Sequence, residues 1–248
     1  MKPAAESGRR IAYGNGPEQY AELYRPAGAS RGVVVVIHGG FWKAQYDASL
    51  GRPLAESLAD RGWTAWNLEY RRVGNGGGAP ETFDDIAAGI DALDDVEDLD
   101  LTTVIALGHS AGGHLATWAA SRGRFERWQP ERVPVTGAIS QAGVLDLRTA
   151  HRDGLGGGAV EAFLGHPPGP ADDRYDPIRQ IPLDVPVWCV HGRADDTVPI
   201  SQSREYVAAA RAAGAEAGLV EFDGDHYVVI EPGADLWARQ LELLDQMA

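Results

Sequence analysis

The sequence predicts an α/β architecture, a mostly parallel central sheet with helices on both faces. Three observations carry that expectation. Short β-branched runs recur along the chain and alternate with stretches of helical periodicity, the pattern of βαβ units. Several of those runs are apolar throughout, as strands covered on both sides must be. The chain has 248 residues, 44% of them hydrophobic, enough for one sizeable core, and no internal repeat divides it.

Taken in order, "EQYAELYRP" reads as an antiparallel strand entering the sheet. "GVVVVIHGG" is a fully buried strand stopped by glycines. Leu50, Leu54 and Leu58 recur at helical spacing, and Gly62 stands where a helix-ending glycine belongs. "WTAWNLEY" is the next strand. Phe83, Ile86, Ile90 and Leu93 mark an amphipathic helix, with Thr82 as its N-cap and Asp85 three residues on. "TTVIALG" is another buried strand, followed by the helix "HLATWAA". "VTGAISQAG", "VPVWCVHG" and "AGLVEFDG" supply three more strands, with helices over residues 204–213 and 236–244. The rhythm breaks between residues 143 and 182, which are rich in Gly and Pro with one short helix at 160–164. Such an insertion at the carboxyl edge of a sheet reads as a lid or pocket wall of the same single domain.

Composition excludes several classes of function. A formal charge of −14 argues against a nucleic-acid partner, whose phosphates call for Lys and Arg surfaces. Cys189 is the single cysteine, so neither an intramolecular disulfide nor a Cys-built zinc site can form. The N-terminal "MKPAAESGRRIAYGNG" lacks an apolar leader, and the longest aliphatic run, Val33 to Ile37, is too short to span a bilayer. The expectation is a cytoplasmic monomer or homodimer that acts on a small molecule and does not associate with membranes. "GLGGGA" at residues 154–159 fits a dinucleotide-binding pattern on paper, but no buried strand precedes it. His109 and His114 are five apart with no glutamate between them, so the H-E-x-x-H zinc helix is absent. The acidic run at residues 84–100 lacks the ligand alternation of a calcium loop. No metal and no organic cofactor is expected.

In open α/β sheets the working residues collect at the carboxyl ends of strands. His38, Ser110, Asp195 and His226 all fall at or just beyond a strand end. Ser110 lies in "GHSAG", where strand becomes helix. Gly108 and Gly112 permit a strained turn that projects the hydroxyl, and the helix N–H groups face any negative charge developing there. A serine in this place can also be a plain N-cap. As a nucleophile it needs a base, and the base needs an orienting carboxylate. Of the seven histidines, His226 follows the last strand on a polar loop and is the best base. His109 should point away at so sharp a turn, and His114 lies below it on the helix. His38 and His191 read as loop-ordering residues, while His151 and His166 fall in the irregular insertion. Either Asp195 or Asp196, just after the strand ending at Val190, supplies the carboxylate. The backbone N–H groups of Gly40, Phe41 and Ala111 are the expected oxyanion donors.

"HGGFW" at 38–42, "GHSAGGH" at 108–114, "HGRADDTVP" at 191–199 and "GDHY" at 224–227 together resemble the α/β-hydrolase superfamily, over essentially the whole chain. The first two are similar to the branch of kynurenine formamidases (arylformamidases) and small carboxylesterases, whose loop after the third strand reads H-G-G-x-W. The lipase-like branch has a third glycine where this chain has Phe41. The resemblance implies the α/β-hydrolase fold and the order Ser–Asp–His, and its H-G-x-x-D-x-x-V-P segment places the acid on Asp195. It implies a serine hydrolase that cleaves a small carboxylic ester or aryl formamide through an acyl-enzyme. An aromatic leaving group would need an apolar wall, for which Phe41, Trp42, Trp118 and Tyr227 are candidates. Trp42 lines the acyl pocket or buttresses its loop, and Tyr70 has the same two readings. The alternative from another class is a non-catalytic α/β-hydrolase fold that binds a ligand or partner.

Overall fold

The structure is a computed structural model that describes residues 6–248; residues 1–5 of the segment read for a leader lie outside it. Among the described residues the strands are β1 (Glu6–Ala12), β2 (Tyr20–Arg25), β3 (Val33–Ile37), β4 (Thr64–Leu68), β5 (Val104–His109), β6 (Gly137–Gln141), β7 (Val187–Gly192) and β8 (Ala217–Phe222). They form one sheet in the order β1-β2-β4-β3-β5-β6-β7-β8. From β4 to β8 every pairing is parallel, while β2 runs antiparallel to both β4 and β1. The helices are α1 (Arg52–Asp60), α2 (Glu81–Asp91), α3 (Ala111–Ala119), α4 (Leu147–Arg152), α5 (Ala159–Leu164), α6 (Ser201–Ala212) and α7 (Asp235–Gln246). This is the α/β-hydrolase fold that the motifs imply.

The unbroken "VVVVI" of β3 has a direct physical reason. Val33, Val35 and Ile37 pack into one core cluster with Phe83 and Ile86 of α2 and Leu115 of α3. Val34 and Val36 face the other way, into a second cluster with Leu54 and Leu58 of α1 and Trp237 and Leu244 of α7. Each such side chain contributes about 1.5–3 kcal/mol relative to exposure, so neither face of this strand tolerates a polar residue. A third cluster sets Val187 and Cys189 of β7 against Tyr206, Val207 and Ala210 of α6.

Local details depart from the sequence reading in three places. Helix α1 starts at Arg52, and Leu50 instead ends a short 3₁₀ turn, 40% exposed. Helix α2 starts at Glu81, so Thr82 is not its N-cap. The buried Thr82 hydroxyl donates to the Arg71 carbonyl at 2.7 Å and accepts from the Gly78 N–H at 3.1 Å. The segment 143–182 is less irregular than its composition suggests. It holds α4, α5 and three 3₁₀ turns, and its Leu147, Val160, Phe163 and Tyr175 join the main core. Among the described residues no helix is long and apolar enough to cross a membrane.

Register fixes which loops meet. Ile37 pairs with Gly108, so the loop after β3 emerges beside the turn after β5. Gly192 pairs with Phe222, so the loops carrying Asp195 and His226 leave the same edge together.

Candidate active site

The turn from β5 into α3 is built around absent side chains. A Cβ at Gly108 would collide with the Gly112 carbonyl, and one at Gly112 would collide with the Ile37 carbonyl. Between them Ser110 takes φ 55° and ψ −118°, a conformation that costs a non-glycine residue of order 1–3 kcal/mol. It is held there by its N–H, which donates to the Gln141 carbonyl at 2.8 Å, and by its carbonyl, which accepts from the His114 N–H at 3.2 Å. The Ser110 side chain makes no capping hydrogen bond to α3. The plain N-cap reading therefore does not describe this serine.

Asp195 and His226 are brought together as the chain order implies. The His226 Nδ1–H donates to Asp195 Oδ2 at 2.7 Å. The other carboxylate oxygen accepts the N–H groups of Thr197 at 2.9 Å and Val198 at 2.8 Å. His191 Nε2–H is shared between Asp195 Oδ2 at 3.2 Å and the Val198 carbonyl at 2.9 Å. Burial opposes the charge on Asp195, but the hydrogen bonds from His191, His226 and Val198 outweigh it and hold the carboxyl well below its usual range. With Nδ1–H committed to a charged carboxylate, Nε2 of a neutral His226 carries the lone pair. Asp196 is exposed and accepts only from its neighbour Thr197, at 3.3 Å. Ser110 and His226 line one small cavity of about 110 Å³, with Gly40, Phe41, Tyr46, Leu50, His109, Thr197, Tyr227 and Ile230.

The loop after β3 has an unusual backbone. Gly40, Phe41 and Trp42 take successive φ values of 113°, 50° and 56°, and the Lys43 N–H closes the turn onto the Gly40 carbonyl at 3.0 Å. A Cβ at Gly39 would lie 2.7 Å from the His109 carbonyl and 3.0 Å from Ser110 Cβ, so the loop passes directly against the serine turn. The Ala111 N–H, first in α3, has no acceptor within its own helix. Gly40 and Phe41 line the cavity with Ser110, which Ala111 directly follows in the chain.

Beneath this loop lies a polar layer that sequence reasoning missed. Glu69, fully buried at the end of β4, accepts the N–H groups of Ala48 and Tyr70, each at 2.8 Å, and pairs with Arg72. His38 donates from Nδ1 to the Gly39 carbonyl at 2.8 Å and stacks on Tyr70 at 4.5 Å. Burial depresses its pKa to about 3, so it stays neutral.

His109 also departs from expectation. It lines the cavity rather than pointing away, its ring 4.5 Å from that of His226. Its Nε2–H donates to the His226 carbonyl at 2.9 Å. Burial, reinforced by the neighbouring His226, depresses its pKa to about 3. The adjacency of His109 to Ser110 is the signal that could have found it.

Of the five aromatics expected to contact substrate, Phe41 and Tyr227 reach the cavity, where Tyr227 is 58% exposed. Trp42 is fully buried, stacked on Phe163 at 4.6 Å and donating to His114 Nδ1 at 3.2 Å. Tyr70 donates its hydroxyl to the His38 carbonyl at 2.7 Å, and Trp118 donates to the Arg174 carbonyl at 3.0 Å. These three brace the site from the core side. Tyr46, Leu50 and Ile230 take the wall positions instead. The insertion 143–182 meets the site through the Val144 N–H, which donates to the Ser110 carbonyl at 3.4 Å, and through Phe163 on Trp42 and Gly156 on Phe41 and Lys43 behind the loop after β3. Among the described residues no group of three or more His, Cys, Asp or Glu is placed to hold a metal ion.

Known esterases share this fold. The sequence profile of the family BD-FAE matches residues 21–209. The chain is 27% identical over 244 residues to isoprenylcysteine alpha-carbonyl methylesterase ICME of Arabidopsis thaliana, covering 87% of this chain and 55% of that protein. It spans about half the length of the curated relatives it matches. Its structure is similar to esterase Est2 of Thermogutta terrifontis, with a TM-score of 0.76, 27% identity, and coverage of 99% of this chain and 91% of that one. The Thermogutta esterase is also known phosphonylated by sarin. A truncated carbohydrate esterase from gut microbiota shares the fold at a TM-score of 0.83 with 16% identity, covering 99% and 96% of the two chains. The profile spans well over half of the sequence and the fold is the one these esterases share, so the chain belongs to the BD-FAE family within the α/β-hydrolase superfamily.

Proposed function

We propose that the protein is a serine carboxylesterase acting on small, uncharged esters. The observation that carries this reading is the convergence of a strained Ser110 and an Asp195-bound His226 on one small cavity. Ser110 Oγ attacks the ester carbonyl while His226 Nε2 takes its proton and passes it to the departing alkoxide. Asp195 holds the imidazole tautomer and stabilises the imidazolium. The N–H groups of Gly40, Phe41 and Ala111 receive the oxyanion, and water then hydrolyses the acyl-enzyme by the same proton path. The esterase names of the relatives support the reaction class.

The cavity also bears on the substrate. At about 110 Å³ it is well below the roughly 300–1,000 Å³ of a drug-sized pocket, which favours a compact acyl group. Among the described residues no lysine, arginine or acidic side chain lines it, so a carboxylate on the substrate would find no counter-charge there. A formyl group fits the same small space, which makes an aryl formamide the second reading.

Turnover of p-nitrophenyl acetate, p-nitrophenyl octanoate and N-formylkynurenine tests both. Acetate is expected to exceed octanoate at least about tenfold in kcat/KM, and Ser110→Ala to lose at least about a thousandfold. Near-parental rates in Ser110→Ala would overturn the mechanism. Faster turnover of N-formylkynurenine than of acetate would favour the formamide reading. A folded protein inert to all three substrates would favour a binding role.

A further inference from the structure

Residues 154–158 form a strap in which Gly154, Gly156, Gly157 and Gly158 take φ values of 68°, 62°, 68° and 85°. The strap lies against the loop that offers the oxyanion donors. Lys43 Nζ donates to the Gly156 carbonyl at 3.0 Å. A Cβ built at Gly156 would lie 2.6 Å from the Phe41 ring and 2.9 Å from Ala159 Cβ, whereas one at Gly157 would meet nothing within 4 Å. Backbone conformation alone therefore accounts for glycine at 157. At 156 the ring of Phe41 occupies the space a side chain would need. Phe41 itself holds φ 50°, a strained value that persists only where the surroundings impose it.

The geometry points to Gly156 as a positioning residue of the reaction centre. Its missing side chain seats the Phe41 ring, and its carbonyl anchors Lys43 two residues on. Together these contacts hold the strained Phe41 backbone so that its N–H faces the oxyanion. This inference rests on the acyl-transfer reading above.

Gly156→Ala and Gly157→Ala share the penalty of a positive φ, so the second variant measures that penalty alone. With p-nitrophenyl acetate, Gly156→Ala is expected to fall about 10- to 100-fold below Gly157→Ala in kcat, with KM within about threefold. Amide exchange at Lys43 and Val73, whose N–H groups donate to the Gly40 and Trp42 carbonyls, is expected to quicken in Gly156→Ala only. In a Phe41→Ala background the kcat cost of Gly156→Ala should shrink to under about threefold, because the ring it displaces is gone. A cost that persists there comes from Ala159 and overturns the seat, as do equal kcat and equal exchange in the two glycine variants. Should Gly156→Ala fail to fold, Lys43→Met removes the anchor without adding bulk. Faster exchange at the amides of residues 43 and 73, which bond the Gly40 and Trp42 carbonyls, then supports the seat, and unchanged exchange overturns it. A parent protein inert to esters would sink the acyl-transfer reading instead, and the exchange comparison would still decide whether the strap holds the loop.

Discussion

At the scale of residues, the site rests on a division of charge. Asp195 is kept ionised by three hydrogen-bonding groups, while His109 beside the base is kept neutral by burial. A cation at His109 would repel the imidazolium that the proposed mechanism forms at His226, so its neutrality favours that mechanism. Asp195→Asn keeps the shape but offers an amide where a carboxylate accepted the Nδ1–H. It is expected to lower kcat about 10³- to 10⁴-fold with little change in thermal midpoint, as read by ester turnover and melting. A loss under tenfold would remove Asp195 from the mechanism. The strained turn at Ser110 and the pairing of His226 with Asp195 were legible in the sequence because the glycine spacing and the chain order limit what these residues can do. Trp42, Tyr70 and Trp118 were not. An aromatic near a strand end faces cavity or core according to where its polar atom finds a partner, and all three found one inside.

At the scale of elements, what the sequence hid were weak or short patterns. In "ESGRRIA" of β1 only Ile11 and Ala12 are apolar, since an edge strand packs little and pairs on one side. Helix α4 has six residues, too few for helical periodicity to show. Glu69 was overlooked because a charge at a strand end reads as solvated, yet it is the acceptor that ties β4 to the loop after β3. Glu69→Ala leaves the buried Arg72 with Glu18, at 3.2 Å, as its remaining carboxylate partner. The expected loss is about 1–3 kcal/mol, seen as a lower urea midpoint at unchanged m-value. An unchanged midpoint would contradict the structural weight given to this layer.

At the scale of the whole molecule, three buried histidines couple stability to pH. Burial depresses His38 and His109 to about 3 and His114 to about 4. The unfolded chain takes up protons on histidine near pH 6.5 and the folded one does not, so stability is full above that value and falls as pH drops towards 4. Each histidine contributes about 1.4 kcal/mol per pH unit within the window. Asp176, raised to about 7 by burial and by Asp146, acts in the opposite direction but is one group against three. The urea midpoint is therefore expected to be lower at pH 5 than at pH 7, and an equal or higher midpoint would contradict the burial of these rings. The parallel sheet with both faces covered was legible from runs such as "VVVVI", whose continuity has no other use. The packing of residues 143–182 was not, because Gly and Pro mask short helices whose few apolar residues still reach the core.

The proposed mechanism makes Ser110 a nucleophile activated by His226. The most direct measurement is labelling with a fluorophosphonate, followed by mapping of the adduct by mass spectrometry. A single adduct is expected on Ser110, disappearing in Ser110→Ala and forming at least about a hundredfold more slowly in His226→Ala. A folded protein that forms no adduct, or forms one elsewhere, would contradict it.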